Sequence, residues 1–184
     1  MELVPNIQPF RNRNGHDKLI LPEAALLQKF LAPHGNPLVD TAVVLVYTTG
    51  MRLSELLSLK AFEVQEEFNI VGKGAKERFV TAPPTTVQAV RKYEVDAKLQ
   101  KGAKLFPWHR RTLQQAITDR AEEDGLANFS IHTLRHCYAT FMLSKGADLR
   151  VVQELLGHAS VATTQRYTHV TNAQLKNAVR DAFK

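Results

Sequence analysis

The stretch "SIHTLRHCYATFMLSKGADLRVVQELLG", residues 130–157, decides the fold class of this chain. Its apolar residues recur every three or four positions, which predicts a helix whose inward face carries positions 134, 137, 138, 141 and 142. Gly146 suits the end of that helix, Asp148 is a suitable N-cap for a second helix, and Gly157 stops the second. The stretch therefore predicts two consecutive helices of a packed helical domain.

The rest of the chain continues this pattern with one interruption. Further helices are predicted within residues 21–31, 38–50, 51–60, 85–100, 112–126 and 172–183. "FNIVGKGAKERFVTAP", residues 68–83, instead has short β-prone runs around a Gly-Lys-Gly turn, which predicts a hairpin or a three-stranded sheet. Ser160 can cap one more short helix, which carries Tyr167. We expect a mainly α fold with a small antiparallel β-sheet or hairpin.

Composition predicts one globular, non-membrane domain. Hydrophobic residues make up 44% and charged residues 23% of the 184 residues, and no apolar run is long enough to span a bilayer. Residues 1–18 lack an apolar period and are predicted to be an N-terminal arm or linker before a domain over residues 19–184. A single cysteine, Cys137, fits a reducing cytoplasm. The formal net charge of +6 favours a polyanionic partner.

Several polar residues stand at positions that a packed core does not require. Arg52 and Glu55 lie three apart on one predicted helical face, off the main apolar stripe, and His132 and Arg135 repeat that spacing. Lys73 lies in the Gly-Lys-Gly turn. Each has an ordinary alternative, namely a solvated helix face or an exposed hairpin tip. No HExxH, cysteine-rich or G-x-S-x-G pattern occurs, so we predict neither a metal site nor a serine hydrolase.

Four segments taken in order resemble the catalytic domain of the tyrosine recombinases, the phage integrase family, and within it the Xer recombinases. They are "TTGMRLSELLSL" (48–59), "GKGAKER" (72–78), "HTLRHCYATFML" (132–143) and "GADLRVVQELLGHASVATTQRYTHV" (146–170). The resemblance implies the DNA breaking-rejoining fold and site-specific recombination that serves DNA integration or the resolution of chromosome or plasmid dimers. It also implies a cytoplasmic, nucleoid-associated protein.

The resemblance implies strand cleavage without a metal or other cofactor. Its catalytic set is Arg52, Lys73, His132, Arg135, His158 and Tyr167. The two arginines and His158 would hold the scissile phosphate, Lys73 and His132 would transfer protons, and Glu55 would support the site. Tyr167 would attack phosphorus and form a 3′-phosphotyrosyl intermediate. Planar, permanently charged guanidiniums suit the charge that develops on the phosphate oxygens.

Double-stranded DNA is the partner that the resemblance implies. Lys76 and Arg78 on the hairpin, with Arg110 and Arg111 before the helix within 112–126, are candidates to contact phosphates or the major groove. A solvated basic surface is an equally good interpretation of each.

The C-terminal segment "NAQLKNAVRDAF" carries one apolar stripe, formed by Leu175, Val179 and Phe183. The stripe either packs on its own domain or docks on a neighbouring protomer, as in related recombinases. We therefore expect a homo-oligomer, dimer or tetramer, on DNA. The family's usual N-terminal core-binding domain is absent from this sequence, so we expect weak DNA binding and doubtful recombination by this chain alone.

Three other functions stay open from the sequence. A type IB topoisomerase would use the same chemistry to relax supercoils, although "LLGHASVATTQRYTHV" (155–170) favours a recombinase. A relative that binds DNA without cleaving it, and an unrelated helical nucleic-acid-binding module, would both lack a covalent intermediate. Covalent trapping of DNA distinguishes a recombinase from either of these two non-cleaving proteins.

Overall fold

The computed structural model describes residues 22–71, 77–157 and 170–184. These ranges contain eight helices and two strands, which confirms the predicted mainly α fold with a small antiparallel β element. In chain order the elements are α1 (Ala24–Leu31), α2 (Pro37–Thr49), α3 (Leu53–Ser58), β1 (Glu67–Val71), β2 (Glu77–Thr81), α4 (Pro84–Asp96), α5 (Arg110–Glu123), α6 (Ile131–Ser144), α7 (Leu149–Leu155) and α8 (Asn172–Ala182).

Helix α2 is the central helix of the domain. Pro37 occupies its first turn, and the Asn36 side chain accepts a hydrogen bond from the Val39 amide (3.3 Å). The helix packs against α4, α5 and α6, so most of its side chains are buried. It ends at Gly50, whose φ of 63° is left-handed, a conformation that glycine adopts without strain.

Strands β1 and β2 form the predicted hairpin. They pair antiparallel, with Phe68 opposite Val80 and Ile70 opposite Arg78. Within the described ranges the sheet has two strands, so the alternative of a third strand is not found there. The predicted Gly-Lys-Gly turn and the residues after it, 72–76, which include Lys73 and Lys76, lie outside the described residues.

Asp148 and Gly157 bound α7 as the sequence predicted, whereas Ser130 caps the start of α6, an end for which no cap was predicted. The Ser130 hydroxyl accepts a hydrogen bond from the Thr133 amide at the start of α6, and the Asp148 carboxylate accepts one from the Arg150 amide (2.8 Å) at the start of α7. Gly157, with a φ of 62°, follows α7. The predicted helix from Ser160 lies outside the described residues.

Helix α8 packs against α6, α7 and β2 of its own domain. Its apolar stripe of Leu175, Val179 and Phe183 is buried there. Lys176 adds an ion pair to Glu67 of β1. The first of the two alternatives for this stripe, packing within one chain, is therefore observed.

Several helix boundaries differ by a few residues from the sequence prediction, and two of them involve arginines. Helix α5 begins at Arg110, so both Arg110 and Arg111 belong to its first turn and do not precede it. Helix α3 begins at Leu53, with Arg52 as its N-cap residue. Helix ends have weak sequence signals compared with helix interiors. None of the helices in the described ranges is long and apolar enough to span a bilayer.

Candidate active site

Arg52 and Glu55 meet at the start of α3. The Arg52 amide donates to Glu55 Oε2 (2.8 Å), and Arg52 Nη1 donates to Glu55 Oε1 (2.9 Å). Glu55 is fully buried. The prediction that this carboxylate lies off the buried face is therefore wrong. A carboxylate is tolerated inside the domain because donors satisfy its oxygens.

Arg78 of β2 supplies the second guanidinium on the same carboxylate. Its Nε donates to Glu55 Oε1 (3.2 Å) and its Nη2 donates to Glu55 Oε2 (2.8 Å), which is a bidentate pair. Its Nη1 donates to the Leu155 carbonyl at the end of α7 (2.7 Å). Arg78 thus connects the hairpin to both α3 and α7, and its side chain is only 12% exposed.

Arg135 of α6 is held by carbonyl groups. Its Nη1 donates to the Gly50 carbonyl and its Nη2 donates to the Leu156 carbonyl. The residue is 9% exposed, so Arg135 does not lie on the solvated helix face that its spacing from His132 suggested. Residues three apart on a helix are separated by about 60° around its axis, and such a pair can straddle the edge of the buried face.

The position of the Gly50 carbonyl depends on close packing around that glycine. A Cβ at residue 50 would lie 2.6 Å from Cδ1 of Tyr138 and 2.9 Å from Cδ2 of Leu156. The absence of a side chain therefore lets the end of α2 approach α6 and α7. This approach brings the carbonyl within reach of Arg135.

Gly157 brings the end of α7 against the other two arginines. Its carbonyl accepts a hydrogen bond from Arg52 Nη2 (2.8 Å). A Cβ at this position would lie 2.6 Å from Cδ of Arg78 and 3.4 Å from Nη1 of Arg52. His158, which was predicted to join the arginines on the phosphate, follows Gly157 directly in the sequence.

The described part of this arginine cluster (Arg52, Arg78 and Arg135) holds three guanidiniums and one carboxylate. Burial raises the pKa of Glu55, but hydrogen bonds and charge from Arg78, followed by those from Arg52, outweigh burial and leave that pKa below its ordinary value. Burial, followed by the positive charges of Arg52 and Arg78, lowers the pKa of Arg135 to about 10. Arg135 therefore remains charged at neutral pH, and the cluster has an excess of fixed positive charge that suits an anion.

Of the four other predicted catalytic residues, the structure describes one. His132 is in the first turn of α6 with an exposed side chain. Lys73, His158 and Tyr167 lie outside the described residues. Among the described residues, no three His, Cys, Asp or Glu side chains are grouped as metal ligands would be.

Arg110 and Arg111 are exposed in the first turn of α5. With Gln114, Gln115 and Thr118 they line a shallow surface depression. The first turn contains no acidic residue. Because helix N-termini disfavour cations, two arginines here work against the stability of α5 and leave a local concentration of positive charge.

Comparison with known proteins assigns the family. Residues 25–174 match the model of the phage integrase family. The chain belongs to the phage integrase family. It is 42% identical to the tyrosine recombinase XerD of Corynebacterium glutamicum, over 95% of this chain and 64% of that protein.

Solved structures of phage integrase family members share the fold. The crystal structure of XerA recombinase has a TM-score of 0.69 and 29% identity, over 90% of this chain and 64% of that one. XerH site-specific recombinase bound to palindromic difH substrate, in a post-cleavage complex, has a TM-score of 0.63 and 28% identity, over 83% of this chain and 49% of that one. This chain thus spans less than two thirds of the length of each.

Sequence reasoning missed the inward position of Arg78, which had been interpreted as a DNA contact or as part of a solvated basic surface. Period-two alternation along β2 places Arg78 on the same face as Val80, which is a core residue. That alternation was the available signal. The carbonyl acceptors of Gly50 and Leu156 had no comparable signal, because every residue carries a carbonyl group.

Proposed function

We propose that this chain is the catalytic domain of a site-specific tyrosine recombinase, which cleaves and rejoins double-stranded DNA through a 3′-phosphotyrosyl intermediate. The gathering of Arg52, Arg78 and Arg135 around the single carboxylate of Glu55 is the observation that carries this function. It supplies fixed positive charge at a site whose family members act on phosphodiesters. The reaction would serve DNA integration or the resolution of chromosome or plasmid dimers.

Arg52 and Arg135 are arranged to bind a phosphate while staying in place. A guanidinium has five N–H donors. In the described contacts Arg135 uses two of them on carbonyl groups, which leaves others for the two non-bridging oxygens. Arg52 is similarly anchored by Glu55 and by the Gly157 carbonyl. Because both groups are positioned before DNA binds, each can contribute about 3 kcal/mol to the transition state.

The remaining roles follow the family pattern. The Tyr167 oxygen forms a bond to phosphorus while the bond between phosphorus and the 5′ oxygen breaks. His132 accepts the phenol proton, because a hydroxyl with a pKa of about 10 is a poor nucleophile at neutral pH. Lys73 donates a proton to the departing oxygen, and His158 joins the arginines on the phosphate. The 5′ hydroxyl of a partner strand then attacks the intermediate and releases Tyr167.

Trapping of the covalent intermediate tests this function. A pool of nicked duplexes with a randomised centre is incubated with the chain, and the short strand released by cleavage diffuses away so that rejoining is blocked. We expect a protein–DNA adduct that peptide mass spectrometry places on Tyr167, and none from Tyr167→Phe. Sequencing of the trapped DNA then defines a substrate. An adduct that persists in Tyr167→Phe, or DNA binding with no adduct from any duplex, contradicts the proposal.

We extend the proposal to DNA contacts outside the cleavage site. Arg110 and Arg111 project from the positive end of α5 and share its exposed surface with Gln114 and Gln115, and both side-chain types, arginine and glutamine, suit phosphate or base-edge contacts. Lys76 on the hairpin turn is proposed as a further phosphate contact. Arg78 supports this role less well, because its Nε, Nη1 and Nη2 atoms all donate within the domain.

Assembly on DNA is the last part of the proposal. A homo-oligomer, dimer or tetramer, would bring together the two duplexes that strand exchange requires. Docking through α8 would require that helix to leave its own domain, because the Val179 and Phe183 side chains are buried there. Analytical ultracentrifugation of the intact chain with the selected duplex tests the oligomer. If only one protomer binds a duplex that carries two copies of the selected site, even at saturating protein, the proposed oligomer is contradicted.

A further inference from the structure

The structure assigns Arg78 as a positioning residue for the cleavage reaction: it fixes Glu55, and through Glu55 the catalytic Arg52, while it ties the hairpin to the end of α7. This inference rests on the proposed function. It differs from the role expected from the sequence, in which Arg78 contacts DNA directly.

The contacts of Arg78 with Glu55 carry the first step. Two of its nitrogens bind the two carboxylate oxygens, at 3.2 Å and 2.8 Å, and the carboxylate has no exposed surface. Arg52 binds the same two oxygens, through its amide and through Nη1. Glu55 therefore has one orientation that satisfies both arginines, and removal of either arginine frees it to turn.

The contact with α7 carries the second step. Arg78 Nη1 donates to the Leu155 carbonyl, and the stem of Arg78 lies against Gly157, where a Cβ would approach its Cδ to 2.6 Å. The same glycine accepts a hydrogen bond from Arg52. Arg78 and Arg52 thus hold the last residues of the segment that continues directly into His158.

The position of Arg78 in the sequence also relates it to the hairpin of β1 and β2. Arg78 lies in β2, five residues after Lys73, and β2 pairs with β1, which ends directly before the segment 72–76 that includes this lysine. The guanidinium fixes the base of this hairpin to α3 and α7. One side chain thus connects three segments from which the proposed site draws catalytic residues.

The experiment compares matched arginine-to-lysine substitutions in the 184-residue chain. Arg78→Lys keeps the charge but cannot bind both oxygens of Glu55 and the Leu155 carbonyl in the same geometry. Arg120→Lys is the control, because Arg120 is also buried and hydrogen-bonded, to Asp40 and to the Phe30 carbonyl, but lies outside the arginine cluster. Single-turnover cleavage of the selected duplex is measured at saturating protein, below the melting transition that circular dichroism gives for every variant.

We expect Arg78→Lys to slow cleavage by about ten- to a hundred-fold, the range typical of groups that orient the ligands of a site. Its affinity for the duplex and the salt dependence of that affinity should stay near the wild-type values. Arg120→Lys should lower the melting temperature and keep the wild-type cleavage rate. Arg78→Gln, which removes the charge, should slow cleavage further, and it serves as the second variant if Arg78→Lys alters folding.

The pH profile separates a positioning role from simple destabilisation. Glu55 depends on Arg78 to remain ionised while buried, so in Arg78→Gln the loss of cleavage at acidic pH should begin at a higher pH than in the wild type. In a Glu55→Gln background, the Arg78 substitutions should have a smaller effect on cleavage, because the residue through which Arg78 acts has changed.

Three outcomes overturn the inference while leaving the proposed function intact. The first is a wild-type cleavage rate in folded Arg78→Lys and Arg78→Gln. The second is a loss confined to DNA affinity with a shallower salt dependence, which would make Arg78 a phosphate contact. The third is equal slowing by Arg120→Lys. Failure of the wild-type chain to form a Tyr167 adduct overturns instead the proposed function on which the inference rests.

Discussion

Glu55 lies buried between two guanidiniums, and its ionisation therefore couples folding to pH. The pKa of Glu55 in the folded chain is below its ordinary value, because Arg78 and Arg52 outweigh the effect of burial. Its ionised form contributes stability that is complete above the ordinary carboxylate pKa and is lost as the pH falls through the lowered folded value. Folding and the shape of the arginine cluster thus depend on the same proton.

Glu55→Gln tests this coupling. We expect the variant to lose about 3 kcal/mol of unfolding free energy at neutral pH, because two partly buried guanidiniums lose their counter-charge. At acidic pH the difference from the wild type should shrink, since the wild-type carboxylate is then protonated. Urea denaturation at a series of pH values measures both effects. If the difference in unfolding free energy between the two proteins stays constant down to acidic pH, the protonation of Glu55 is not coupled to folding.

Gly50 is a second residue on which the site depends. Its left-handed φ of 63° and its contact with Tyr138 both disfavour a side chain. We expect Gly50→Ala to cost about 2 kcal/mol of unfolding free energy. Gly102→Ala is the control, because Gly102 also has a positive φ, 82°, but open space around its Cα. Equal losses in the two variants, measured by urea denaturation, would show that packing at Gly50 adds nothing.

At the scale of elements, α8 completes the core of the domain. Phe183 packs on the rings of Phe141, at 4.8 Å between centroids, Tyr47, at 6.4 Å, and Tyr138, at 6.4 Å. Tyr138 in turn lies against Gly50, whose carbonyl accepts from Arg135. The C-terminal helix and the arginine cluster are therefore joined by a continuous path of packed groups.

Phe183→Ala tests the contribution of α8. We expect a loss of about 3 kcal/mol of unfolding free energy, as for other buried phenylalanines, seen as a lower urea midpoint. Leu149→Ala is the control, because Leu149 is apolar but 59% exposed, and its change should stay within about 0.5 kcal/mol. If Phe183→Ala is as stable as this control, α8 does not pack on its own domain in solution.

The sequence predicted the elements better than it predicted the site. The apolar period of α6, the N-cap at Asp148 and the stop at Gly157 are local signals, and each was confirmed. The contacts of Arg52 with Gly157, 105 residues apart, and of Arg135 with Gly50, 85 residues apart, have no local signal. The family resemblance implied a catalytic set, but it gave no signal that Glu55 is buried against Arg52 and Arg78.

At the scale of the molecule, the net charge of +6 is partly concentrated at two described places. One is the arginine cluster, where Arg52 and Arg78 share the carboxylate of Glu55 and Arg135 adds a third guanidinium. The other is the exposed first turn of α5, with Arg110 and Arg111. Because these places are not neutralised within the described residues, DNA binding should release counterions and weaken as salt increases.

The arginines of α5 separate DNA recognition from cleavage. We expect the double variant Arg110→Ala, Arg111→Ala to bind the selected duplex more weakly, and the slope of log affinity against log salt to fall by about two if both arginines contact phosphates. If they contact bases instead, the salt slope should stay nearer to the wild-type value, while the preference for the selected sequence over a mutated one should relax. In both cases, cleavage at saturating protein should remain close to the wild-type rate, since neither side chain belongs to the arginine cluster.

The control removes the same charge elsewhere, with Lys101→Ala and Lys104→Ala, two exposed lysines outside α5. Both quantities are measured by fluorescence anisotropy. If the two double variants have equal salt slopes and equal sequence preference, Arg110 and Arg111 contribute only their charge, and they belong to a solvated surface rather than to a DNA-binding site.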